Sequence, residues 1–270
     1  MKLFNEEGWR IPNKKYRTFN DYKTRYYKLN PSVNSNQKCF ELLLNAYPSL
    51  KSISLAQFEN AIHELTEKIT NDNTYSPLLK SRSYPFLIQK NPKEIDLGEQ
   101  LEEELLPLVE NSYLSQFPNL HFKSVIQNNK PLSGMISIKE KTRYEQLVEC
   151  NRESIIFGLY FPEVLSGYDI PSQINQMDDL PPFEMMCLSG SLDICSAVIG
   201  NPQILFHEET YSPILCMTAL EHQDERLTCL FKSYGPHLEF WGLGNQLLPG
   251  IPQVSEQWTG GLTFYQKMIT

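Results

Sequence analysis

The sequence predicts an α+β fold, in which an N-terminal helical region precedes a mainly antiparallel β-sheet region. Apolar residues recur at helical spacing before residue 118, whereas short strand-like runs separated by turn residues dominate after residue 183. Helices that come first and strands that come later favour this class over alternating βαβ units. We therefore divide the chain into an arm (1–30), a helical region (31–118) and a β-rich region (119–270), the last two forming either separate units or one continuous domain.

The helical region contains three predicted helices. Good helix formers fill residues 38–46, and Ser54 is placed to cap a second helix. The apolar residues of this second helix recur at spacings of three and four, and they are Leu55, Phe58, Ile62, Leu65 and Ile69. A third helix begins near Glu94, is rich in glutamate, and has one apolar side made of Leu97, Leu101, Leu105 and Leu108. Pro107 predicts a kink in it.

The remaining segments are predicted as strands and loops. A long loop with a short element near Leu78 is expected at 71–92, and a proline- and aspartate-bearing loop at 162–182. A short helix is expected at 141–150. Strands are predicted at 120–126, 135–138, 154–161, 183–188, 192–199, 202–206, 214–220, 227–234 and 237–243. The last three form an antiparallel meander, and the tail from residue 244 onward is expected to be largely irregular.

Composition points to an intracellular globular protein. The chain has 270 residues, of which 41% are hydrophobic, enough to fill a core, and no apolar run is long enough for a membrane span. The six cysteines are scattered without close pairs, so we expect them to be reduced. We therefore expect a cytoplasmic protein that binds neither a membrane nor a cofactor.

The charge is unevenly distributed. The net charge is −8, but residues 1–30 carry eight basic and three acidic residues, a net +5, which leaves −13 for the rest. A body this acidic repels phosphate backbones, so nucleic-acid binding would depend on the arm alone.

Histidines near predicted strand ends form one candidate catalytic or metal site. His207 and Glu208, followed by Glu209, close one predicted strand, and His237 opens the last one. His222 is expected at the opposite edge of the meander, which disfavours a three-histidine site. A cluster of His207, a neighbouring glutamate and His237 would suit a metal or acid/base pair, although polar residues are also what turns normally contain.

Two further motifs have simpler interpretations. Cys187-Leu-Ser-Gly-Ser191 superficially resembles a nucleophile elbow, but we predict that residues 192–199 continue as a strand, which makes it a hairpin turn. Asp178 and Asp179 lie in the predicted loop 162–182, which we interpret as a solvated surface segment or a short docking site.

The basic arm is the feature most suggestive of function, because aromatic rings and cations alternate along it. Such residues anchor protein interfaces and also stack on single-stranded nucleic acid. An alternative is that the arm lies across the acidic helix around 99–110 of the same chain. The candidate binding residues are Trp9, Lys14, Lys15, Tyr16, Arg17, Tyr22, Arg25, Tyr26 and Tyr27.

These observations favour a non-enzymatic protein-binding adaptor or a subunit of a larger assembly, which engages another protein through the arm and surface loops. The first alternative is a metal-dependent or acid/base hydrolase that uses His207, Glu208 and His237. The second is single-stranded nucleic-acid binding through the arm.

Overall fold

The computed structural model describes residues 2–12, 27–93, 96–125, 131–206, 211–224, 227–234, 237–244 and 257–268. The fold is α+β, as the sequence predicts. The helices are α1 (Asn36–Ala46), α2 (Leu55–Asn71), α3 (Leu97–Glu99), α4 (Leu106–Gln116), α5 (Tyr144–Glu153), α6 (Ile170–Asp179) and α7 (Ser191–Gly200). The strands are β1 (Tyr84–Ile88), β2 (His121–Val125), β3 (Ile136–Ile138), β4 (Ile156–Phe161), β5 (Met186–Leu188), β6 (Ile214–Cys216), β7 (Leu220–His222), β8 (Leu227–Tyr234), β9 (His237–Gly244), β10 (Trp258–Thr259) and β11 (Leu262–Lys267).

Helix α7 lies at the centre of the fold. All of its residues from Ser191 to Gly200 are buried, and it packs on α1, α4, β1 and β4. The prediction of a strand at 192–199 is therefore wrong. A helix that is buried on every side shows no amphipathic period, so its apolar run looks like a buried strand in sequence.

The first sheet has the order β1-β4-β11-β5, and all of its neighbours are antiparallel. Strand β1 is an edge strand, which explains how it accommodates Pro85. Helices α1 and α7 cover this edge: the Cys39 thiol donates to the Pro85 carbonyl at 3.4 Å, and the Ser196 hydroxyl donates to the Leu87 carbonyl at 2.8 Å. Covering an edge in this way blocks pairing with another chain. The sequence prediction of a loop over 71–92 missed β1.

Helix α2 forms as predicted. The Ser54 hydroxyl accepts the Gln57 backbone N–H, and the Gln57 side chain accepts the Ser54 N–H at 2.9 Å, which completes a capping box. Phe58, Ile62, Leu65 and Ile69 are buried against the first sheet, where α2 contacts β4 and β11.

The acidic helix is continuous from α3 through a π-helical segment, Gln100–Leu105, into α4. Pro107 has no N–H for a helical hydrogen bond, and the wider π turn directly precedes it, where the Leu106 N–H donates to the Leu101 carbonyl. The wider turn shifts the buried stripe from the predicted Leu108 to Val109, while Leu101 and Leu105 are buried as expected.

The second sheet has the order β10-β6-β8-β9-β2. The meander is confirmed, because β6, β8 and β9 are successively antiparallel, while β2 joins β9 in parallel. The predicted strand at 214–220 is divided by a turn at 217–219, and β7 pairs with β3 in a separate two-stranded sheet.

Three other predicted segments have a different structure. Residues 202–206 form a 3-10 turn, Pro202–Leu205, since Pro202 begins it and lacks a strand N–H. Residues 162–182 hold a 3-10 turn, Pro162–Leu165, and helix α6, which Asp169 caps by accepting the Ser172 N–H at 2.7 Å. The tail contains β10 and β11 instead of being irregular.

Hydrophobic residues from both sides of Asn119, from Phe4 to Tyr265, form one buried cluster. Among the described residues, no helix has the length and apolar character needed to cross a membrane.

We expect Ser54→Ala to lower the free energy of unfolding by about 1 kcal/mol, because the Gln57 backbone N–H in the first turn of α2 would lose the Ser54 hydroxyl as its acceptor. Urea denaturation measures the change. Ser52→Ala is the matched control, since Ser52 is exposed and caps no helix. Equal midpoints for the two variants would contradict a stabilising role for the cap.

Candidate functional site

The predicted histidine site lies partly outside the described residues, which do not include His207, Glu208 or Glu209. His237 opens β9, where its backbone is in register with Tyr234 of β8 and His121 of β2. His222 ends β7 in a different sheet, and its Nδ1 accepts the Asp224 N–H at 2.8 Å. Within the described ranges, no group of three or more His, Cys, Asp or Glu side chains is placed to hold a metal. The convergence of His207 with His237 remains a prediction.

Both described ends of the basic arm contact the body of the protein. Phe4 is fully buried, and the Arg10 N–H donates to the Val164 carbonyl at 2.8 Å. At the other end, Tyr27 is bridged to Tyr211, whose ring centroid lies 5.9 Å away.

The backbone of Trp9 is tied to a turn by the Asn5 side chain, which accepts the Trp9 N–H at 2.8 Å. The other candidate residues lie outside the described part of the chain, and they are Lys14, Lys15, Tyr16, Arg17, Tyr22, Arg25 and Tyr26. Partner binding by the arm stays a prediction.

The Cys187–Ser191 motif precedes a helix, contrary to our prediction of a hairpin turn followed by a strand. It connects β5 to the N-terminus of α7. Both Ser189 and Ser191 are fully buried, and the Ser189 hydroxyl is bonded to the Thr263 hydroxyl at 2.8 Å. Burial raises the pKa of the Cys187 thiol. Nucleophilic chemistry needs an accessible, ionisable group. Residues 187–191 are all buried, so this motif contributes to the packing of the protein interior instead.

The buried carboxylate of Asp193 caps the N-terminus of α7. Asp193 accepts the Gly190 N–H at 2.9 Å and a hydrogen bond from the Thr263 hydroxyl, while the Leu192 N–H donates to the Tyr144 phenol oxygen at 2.8 Å. Burial raises the pKa of Asp193 from 3.8 to about 6, against the opposing effect of its hydrogen bonds from Thr263 and Gly190. The cluster satisfies a buried helix N-terminus, which water cannot reach.

Asp178 and Asp179 end helix α6 and do not lie in a loop, which corrects the sequence prediction. The Asp178 carboxylate lies 3.4 Å from the Lys141 ammonium group. A capped helix that buries Gln173 and Met177 presents no extended docking segment here.

A groove between α2 and β11 is the candidate functional site. Its volume is about 610 Å³, which lies within the range of ligand-binding clefts. One wall is the end of α2, with Leu65, Lys68, Asn71 and Asp72; the other is the segment 183–185, and 265–267 of β11 form the floor. We call this the α2–β11 groove.

The groove exists because β11 extends past Met186, the first residue of β5, which is paired with Phe264. The Tyr265 N–H donates to the Met185 carbonyl at 3.0 Å, and Met185, with φ 57°, is the residue at which the chain enters β5. Alternate residues of a strand direct their main-chain groups to the same side, so Lys267 presents its N–H and C=O in the direction that Tyr265 does. No strand among the described residues pairs with Lys267 on that side. The floor therefore contains a free strand edge.

Gln266 connects the floor to the helix. Its side-chain amide donates to the Ala61 carbonyl at 2.9 Å and the Glu64 carboxylate at 3.4 Å, and its oxygen accepts from the Lys68 ammonium at 3.1 Å. A smaller pocket of about 160 Å³ lies beyond it, lined by Phe157 and Met268 among others. Gln266 thus lines both cavities along α2.

The charged side chains of the α2–β11 groove differ in whether they already have an ionic or hydrogen-bonding partner. The Lys267 ammonium lies 2.6 Å from the Glu153 carboxylate, which lowers the pKa of Glu153 and raises that of Lys267. The Asp72 carboxylate accepts the Thr74 N–H at 2.7 Å and the Tyr75 N–H at 3.1 Å. Lys68 is exposed and, among the described residues, has no carboxylate within ion-pair distance.

Sequence reasoning missed most of this site, because it left the tail after residue 244 irregular and so missed β11. The run Leu262-Thr-Phe-Tyr-Gln266 is rich in strand-forming residues and follows Gly260-Gly261, a signal that does identify the strand. The pairing of β11 between β4 and β5 has no comparable signal, because it joins segments distant in sequence.

Comparisons with protein-family models, with curated proteins and with solved structures give no match to this chain. The groove is therefore the basis for the functional proposal.

The titration of Asp193 predicts a pH dependence of stability. Its folded pKa of about 6 lies above the unfolded value of 3.8, so the folded state disfavours the ionised form. The free energy of unfolding is therefore highest below pH 3.8, and it falls as the pH rises to 6. The loss is about 3 kcal/mol. The groups nearest Asp193, among them Tyr144, Tyr160, Cys187, Cys195 and Tyr265, all have raised pKa values and are neutral in this range.

Asp193→Asn removes the titrating group while keeping an acceptor for the Gly190 N–H. We expect the difference in unfolding free energy between the wild type and this variant to change with pH between 4 and 6. Urea denaturation across this range measures it. A constant difference would mean that folding does not raise the pKa of Asp193.

Proposed function

We propose that this protein is a non-enzymatic adaptor or complex subunit that binds another protein. The observation that carries the proposal is the α2–β11 groove, in which a free strand edge lies beneath apolar and charged walls. A strand edge supplies main-chain hydrogen bonds to an extended segment, and the walls supply selectivity.

The walls suit a contact surface. Phe183 and Met185 are half-buried, and the Phe183 ring packs on Tyr75 and Phe264 with centroid distances of 5.4 and 5.0 Å. An aromatic residue held in this way loses little side-chain freedom on binding, which lowers the entropic cost of association. Rigid aromatic residues next to charged ones are typical of binding sites.

The proposal includes the basic arm as a second contact and places the protein in the cytoplasm. The arm's cations suit an acidic partner surface, and its described ends hold it to the body through Arg10 and Tyr27. All six cysteines are free thiols, which favours a reducing compartment.

Blocking the groove tests the proposal. Asn71 is exposed and lines the α2–β11 groove, so Asn71→Trp fills it without removing a buried contact. Peptides selected from a displayed random library on the wild-type protein should bind this variant about tenfold more weakly or worse. Fluorescence anisotropy with the labelled peptides measures the affinities.

Asn73→Trp is the matched control, because Asn73 is also exposed but does not line the groove. We expect it to bind as the wild type does. Failure to select any peptide, or equal affinities for the two tryptophan variants, would overturn the assignment of the groove as the binding site.

Neutralising the arm separates protein binding from nucleic-acid binding. Replacing Lys14, Lys15, Arg17 and Arg25 by glutamine removes half of the basic residues in 1–30. Because the body is acidic, we expect a labelled single-stranded oligonucleotide to bind the wild type weakly and no better than the variant. Tight, salt-sensitive binding that the variant loses would favour nucleic acid as the ligand of the arm.

A further inference from the structure

We propose that the α2–β11 groove binds an extended acidic segment of a partner protein, which pairs with the free edge of β11 and places a carboxylate on Lys68. This inference rests on the proposed function and specifies the chemistry of the occupant.

The main chain of β11 sets the conformation of the occupant. Lys267 lies within the groove and has its N–H and C=O on the side from which β5 is absent. The Tyr265 N–H shows the direction, because it is bonded to Met185 on that side at 3.0 Å. A segment that satisfies Lys267 must therefore be extended, and it lies where β5 would run if it continued.

Lys68 sets the charge of the occupant. Its ammonium group reaches the floor, where it donates to the neutral Gln266 oxygen at 3.1 Å. The other cation, Lys267, is already paired with Glu153, and the acid on the helix wall, Asp72, is engaged by two backbone N–H groups. The open cation of the groove is therefore Lys68, which a carboxylate of an incoming side chain can pair with.

Glu184 is the opposing charge. It is exposed on the opposite wall, so it repels an acidic occupant from there. This repulsion favours a position of the occupant's carboxylate at the helix wall, next to Lys68. It also predicts the effect of removing the charge of Glu184. We expect Glu184→Gln to strengthen binding of an acidic peptide by about twofold.

Reversing the charge of Lys68 tests the inference. Peptides selected from the random library on the wild type should be enriched in Asp and Glu, and Lys68→Glu should select Lys and Arg instead. A labelled acidic peptide from the first selection should lose about tenfold in affinity for Lys68→Glu. Lys51→Glu, an exposed lysine outside the groove, makes the same change in net charge and should retain the affinity.

Methylation of the peptide backbone tests the extended pairing. Synthetic copies of the selected peptide, each with one N-methylated amide, should lose binding at alternate positions, because alternate amides of a strand face β11. A loss that does not alternate would overturn the strand pairing.

The outcomes distinguish this inference from the proposed function. If peptides bind, lose affinity for Asn71→Trp, and yet carry no acidic preference that Lys68→Glu reverses, the groove is a binding site and the acidic occupant is wrong. If Asn71→Trp leaves affinity unchanged, both fail. Selected peptides that are helical when bound would overturn the extended conformation alone.

Discussion

The complete burial of α7 is the constraint on which the rest of the structure depends. A buried helix needs protein acceptors for its first N–H groups, because an unpaired buried N–H is costly. Asp193 and Tyr144 supply these acceptors, and the Tyr144 ring lies so close to Gly190 that a Cβ there would approach it to 2.4 Å. The position of α5, which carries Tyr144, is thereby fixed relative to the centre of the fold.

The same helix fixes the first sheet. Its Ser196 covers the edge of β1, and its Asp193 reaches Thr263 at the start of β11. The opposite face of that sheet receives α2, through Gln266 and the buried stripe of the helix. The groove follows from this arrangement, since α2 and β11 both extend past the point where β5 stops.

Elements whose signals are local could be predicted from the sequence. Helix α2 has a capping serine and a clear apolar period, and the β8–β9 hairpin has two strand-like runs separated by a short turn. Helix α7 was missed because its burial erases the period that distinguishes helix from strand. The groove was missed because its walls come from residues near 68, 184 and 266, which only the tertiary fold brings together.

The structure shows which charged residues of the acidic body line the groove. The body is strongly acidic, and the groove is lined by two lysines, Lys68 and Lys267, and two acids, Asp72 and Glu184. In the complex that we propose, an acidic segment contacts Lys68 and the cations of the arm face an acidic surface, so both proposed contacts favour the same sign of charge.

Met185, which directly precedes β5, has a left-handed backbone conformation. A residue with a side chain is strained in the left-handed region, where glycine is not, by about 1 kcal/mol. Here the position holds methionine, and its side chain forms part of the groove wall. Met185 thus combines local backbone strain with a position beside the free strand edge, and strained residues of this kind cluster at ligand sites, in keeping with the binding site proposed for the groove.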